Sequence, residues 1–79
     1  MTTEALRLLR RASPFQPFVL HMADGTSLPV RHPELMLISQ GGRTAIVNLE
    51  GEQMAIVDVL LISRLTYESS SEQIPYQNN

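Results

Sequence analysis

The sequence predicts a mainly β (α+β) domain: a short N-terminal helix, then a strongly bent antiparallel sheet of five or six strands curled into a small barrel. Three observations carry this. Asp24-Gly25, the strongest short hairpin signal, separates two runs of alternating hydrophobicity. Turn clusters recur at short intervals along the rest of the chain, at His32-Pro33-Glu34, Gln40-Gly41-Gly42-Arg43 and Glu50-Gly51-Glu52. Prolines 14 and 17 stop the helix, and prolines 29 and 33 bend the sheet.

The helix is expected over residues of about 3–12. Thr2 and Thr3 are good N-cap residues, Glu4 complements the dipole in the first turn, and Pro14 ends the helix after Ala12 or Ser13. At 100° per residue Ala5, Leu6, Leu8, Leu9 and Ala12 span a broad apolar arc, and Arg7, Arg10 and Arg11 gather on the other side. This predicts a docked helix that shows arginine to water. Phe15 and Phe18, held by Pro14 and Pro17, are expected to pin it to the sheet.

The first strand is expected over 17–23, where Phe18, Leu20 and Met22 alternate with Val19, His21 and Ala23. In the return strand Leu28 and Val30 share one face. Pro29 has no N–H for a ladder, so this strand must lie at an edge or carry a bulge. Beyond the break at His32-Pro33-Glu34, the run Leu35 to Ile38 is apolar without alternation, which predicts a strand buried on both sides. A β-rich run from Thr44 to Leu49 and another from Met54 to Val57 follow. Asp58 is expected to cap a single helical turn before a last strand from Ile62 to Tyr67. Residues 1–68 therefore form one small domain, and residues 69–79, rich in Ser, Gln and Asn, are expected to be a disordered tail.

At 79 residues without cysteine, the chain has a small core and neither disulfides nor thiolate metal sites to reinforce it. Met36, Leu37, Ile38, Ile46, Val47, Ile56, Val57, Leu60, Leu61, Ile62 and Leu65 exceed what one sheet face hides. Both points lead to a homo-oligomer. The net charge is −2, and the six basic residues, all arginine, are interspersed with eight carboxylates, so composition leaves no broad electrostatic footprint for nucleic acid. No apolar run reaches the roughly 18 residues of a membrane span. A cytoplasmic location is expected.

Chemistry-bearing groups are few. His21, His32, Asp24 and Glu34 are the cluster from which a metal-dependent site would have to be built, and a metal needs at least three of them convergent. Each also has a structural role open to it, His21 as a half-buried strand residue and His32 as a partner of its turn. No serine sits in a nucleophile context, and Gly41-Gly42-Arg43 is followed by a strand rather than the helix a phosphate loop requires. No catalytic residue, cofactor or metal site is therefore assigned, and a non-enzymatic scaffold or protein-interaction module is expected. The residues expected to meet a partner are Arg7, Arg10 and Arg11 on the helix, with His32 and Glu34 at the bend.

The order of helix, Asp-Gly hairpin, bent strand, two hairpins, helical turn and final strand is similar to Sm-like small β-barrels. That likeness implies a second function, an RNA-binding oligomer using the helix arginines. Where Sm-like proteins carry an Asp-containing loop ending in Asn after the bent strand, this chain has His32-Pro33-Glu34-Leu35. The combination Pro14-Phe15-x-Pro17-Phe18, Asp24-Gly25, Val30-x-His32-Pro33-Glu34 and Asp58 followed by apolar residues also resembles a group of short uncharacterised bacterial proteins, over about residues 6–66. This second likeness implies a shared scaffold and no particular chemistry.

Overall fold

A computed structural model describes residues 1–68. One helix, α1 (Thr3–Arg10), precedes six antiparallel strands: β1 (Phe18–Met22), β2 (Ser27–Val30), β3 (Met36–Ile38), β4 (Thr44–Asn48), β5 (Met54–Asp58) and β6 (Ile62–Tyr67). They form two three-stranded sheets, ordered β2-β1-β6 and β3-β4-β5. Single 3₁₀ turns, Pro33–Leu35 and Val59–Leu61, carry the chain from one sheet to the other.

Each element follows from local chemistry. Thr2 caps α1 by accepting the Ala5 N–H on its hydroxyl at 3.2 Å. The helix ends at Arg10, two residues short of the sequence expectation, with Arg11 as its C-cap. Gly25 takes a φ of +93° in the β1–β2 turn, a conformation open to glycine at no steric cost. Pro29 lies on β2, the edge strand of its sheet, opposite Val19. Asp58 caps the second 3₁₀ turn by accepting the Leu60 N–H at 2.9 Å.

The core lies between the sheets. Phe18, Leu20 and Met22 of β1, Leu28 and Val30 of β2, and Ile62 of β6 meet Met36, Ala45 and Val47 of the second sheet, with Leu6 of α1 and Val59 closing the ends. Phe18 is fully buried, and Phe15 packs on it with ring centroids 5.7 Å apart. The proline-framed aromatic pair thus ties the helix connection to the core.

Two expectations about faces are corrected. Leu8 and Ala12 point outwards, and the helix docks through Thr3, Leu6, Arg7 and Arg10, whose spacing of three and four places them on one face. The strand expected to be buried on both sides is not: Met36 is fully buried and Leu37 is 56% exposed. Alternation was hidden because both faces of this strand carry aliphatic residues.

Candidate interaction surfaces

Two of the three helix arginines, Arg7 and Arg10, serve the fold. Arg10 donates from Nε to the Met36 carbonyl at 2.6 Å, and Arg7 donates from Nη2 to the carbonyls of Ser39 at 3.1 Å and Gln40 at 3.4 Å. Thr3 adds its hydroxyl to the Gly42 carbonyl at 2.7 Å. Pairing parity explains the Met36 target; Ser39, Gln40 and Gly42 lie in the loop after β3. Ser39 N–H donates across to Thr44 O, so Leu37 faces β4 through its backbone, and Met36 and Ile38 turn their polar groups to the open side. Helix α1 therefore covers the free edge of β3 with one charge-assisted hydrogen bond, from Arg10 to Met36, and holds the following loop through Arg7 and Thr3; covering is one of the ways an exposed edge is blunted.

Arg11 stands exposed at the helix end. Arg31 pairs with Glu68 at 3.1 Å and Arg43 with Asp58 at 3.4 Å. Four of the six arginines thus have intramolecular partners. The sequence signal for Arg7 and Arg10 was their position on one helix face; what it lacked was the set of carbonyls beneath them.

The imidazoles and carboxylates are spread over the hairpin. His21 sits on β1 between Ser27 Oγ at 3.3 Å and Thr66 Oγ1 at 2.9 Å, both ring nitrogens engaged across the sheet. His32 and Glu34 are exposed at the first 3₁₀ turn, beyond the Phe18–Val30 pair and so at the opposite end of the hairpin from His21. Asp24 holds the hairpin turn by accepting the Thr26 N–H at 3.0 Å. Among the described residues no three of His, Cys, Asp and Glu converge to hold a metal ion. No helix there is long and apolar enough to cross a membrane.

The more distinctive surface is the outer face of β3-β4-β5. Leu37, Ile46 and Ile56 lie directly opposite one another in the register and form one aliphatic row across all three strands. Ile56 is 67% exposed, and Met54, also exposed, extends the patch beside the uncharged Asn48. Leu60 and Leu61 add exposed aliphatic surface on the turn that follows β5. A sheet face of this composition is normally covered.

The edge of β5 is also open among the described residues. Leu49 N–H donates to Gln53 O at 2.9 Å and Val59 N–H to Arg43 O at 2.8 Å, so the odd-numbered residues of β5 turn their backbone towards β4. The N–H and C=O groups of Met54, Ile56 and Asp58 point away from the sheet.

Comparison with protein-family models, with curated proteins and with solved structures returns no match, so function is read from this geometry.

Proposed function

We propose that the chain is a non-enzymatic, self-associating interaction module whose copies pair through the outer face of β3-β4-β5. The aliphatic row Leu37–Ile46–Ile56 carries this reading. A two-fold axis through Ile46 of the central strand would set Leu37 of one copy on Ile56 of the other, so the row is complementary to itself. Thr44 and Asn48, the flanking outward residues of β4, are uncharged, so closing the face strands no charge on that central strand. A domain this small also gains stability from covering a second apolar surface.

The test is size-exclusion chromatography with light scattering over a concentration series. A dimer or larger species at micromolar concentration, reduced to a monomer by Ile56→Lys, is the expected result. A monomer persisting to the millimolar range rejects the proposal.

A further inference from the structure

A second surface, which meets the aliphatic row only at Ile56, lies in the gap between the two sheets. The hairpin end of sheet one and the open edge of β5 enclose a cavity of about 320 Å³, walled by Met22 and Leu28 on one side and Ala55, Val57 and Leu61 on the other. Its volume is at the lower end of the roughly 300–1,000 Å³ typical of small-molecule pockets, enough for one or two apolar side chains. Ala23 N–H donates to Leu61 O at 2.8 Å and ties the hairpin to the turn after β5, which fixes one end of the cavity. From Leu28 the β2 chain runs to Pro29, which lines a smaller hollow of about 150 Å³ with Leu35 and Leu49.

The edges of the second sheet are treated differently. Thr3, Arg7 and Arg10 occupy carbonyls along β3 and the loop after it, whereas Met54, Ile56 and Asp58 on β5 face the gap with their backbone groups unpaired by any strand among the described residues. An open edge beside an apolar cavity is the arrangement that accepts an added strand, with main-chain hydrogen bonds supplying affinity and the cavity selecting a side chain. The opposite wall is poorer in donors, because Pro29 on the free side of β2 has no N–H.

Charge identifies the complementary sequence. Asp24 and Asp58 line the same cavity, and hydrogen bonds from Thr26 and Leu60 hold both carboxyls below their usual range, so both are anionic at neutral pH. Arg43 reaches only Asp58, and among the described residues no cation pairs with Asp24. We infer that the β2–β5 gap binds an extended segment of another protein, added as a strand on β5, with an aliphatic side chain in the cavity and a neighbouring lysine or arginine at Asp24.

The test pans a displayed library of random eight-residue peptides against the full chain, then measures binding of the enriched peptide by fluorescence anisotropy. Enrichment of an aliphatic residue with Lys or Arg within two positions is expected. Asp24→Asn, which retains the turn-forming acceptor for the Thr26 N–H, should weaken binding roughly three- to fivefold. Methylating alternate backbone nitrogens of the same peptide should weaken it about tenfold or more. Amide shifts should move at Met54, Ile56 and Asp58. Absence of a consensus, an acidic consensus, or unchanged binding of the methylated peptide overturns the inference. So do shifts confined to Leu37 and Ile46, which would place the peptide on the self-association face.

Discussion

Thr3 and Gly42 are held in register across the helix–sheet junction: the Thr3 hydroxyl donates to the Gly42 carbonyl at 2.7 Å, and a Cβ on Gly42 would stand 2.9 Å from Thr3 Cγ2. Gly42 also has a φ of +83°, so two independent constraints exclude a side chain there. Gly42→Ala should lower stability by about 1–2 kcal/mol from backbone conformation alone, with a further loss as the start of the helix is pushed aside. Gly41→Ala meets nothing within 4 Å and is the matched control. Urea unfolding of the two variants side by side measures the difference; equal midpoints would mean that neither the backbone conformation of Gly42 nor its contact with Thr3 restricts a side chain there.

Arg10 makes the shortest of the contacts that join the helix to β3, 2.6 Å from its Nε to the Met36 carbonyl. Arg10→Met keeps an unbranched stem but leaves that carbonyl without its donor, and should cost about 1.5–3 kcal/mol, the range for hydrogen bonds to charged groups. Arg11→Met, at an exposed position, should change stability by less than about 0.5 kcal/mol. Hydrogen exchange adds a second readout, since loss of Arg10 should raise exchange along β3 before it does so in β1.

These contacts also mark where sequence reasoning stopped. Pro29 at an edge and Asp58 as a cap were legible because each rests on chemistry within two or three residues: a missing N–H, and a carboxylate accepting from Leu60. The targets of Arg7 and Arg10 lie 32 and 26 residues away in the chain, and only the folded register places Ser39 and Met36 under the helix. Leu37 was misread for a related reason. Its neighbours Met36 and Ile38 are as apolar as it is, so period-two alternation was masked on a strand whose outer face is itself aliphatic. Arg11, His32 and Glu34 stand exposed as their charge leads one to expect, and the structure adds an apolar surface through Ile46 and Ile56 that only the register brings together.

Asp58 links the cap of the second 3₁₀ turn to Arg43, and its carboxyl is held below the usual 3.8 first by the Leu60 N–H and then by Arg43. A depressed folded value means that the ionised form stabilises the fold above pH 3.8, and that this contribution is lost as the pH falls through the lower, folded value. The midpoint of thermal unfolding should therefore drop on acidification below that pH. Asp58→Ala should start from a lower midpoint at pH 7 and show a shallower drop, because it no longer has that proton to take up. Parallel curves for the two proteins would remove Asp58 from the acid sensitivity.

Ile56 separates fold from assembly. At 67% exposure its side chain contributes little to the core, so Ile56→Lys should change monomer stability by less than about 1 kcal/mol, the span of strand propensities. In an assembly built on the Leu37–Ile46–Ile56 row, the same substitution places an ammonium opposite Leu37 of the second copy, where it has no partner and must be desolvated. The dissociation constant should rise by more than about tenfold, while the denaturant midpoint measured at a dilution that favours monomer stays put. Asn48→Lys lies on the same outward face but off the row, and should weaken association less. Equal effects from the two lysines would point to net charge rather than the row; a shifted monomer midpoint for Ile56→Lys would show that the outer face contributes to folding within one copy.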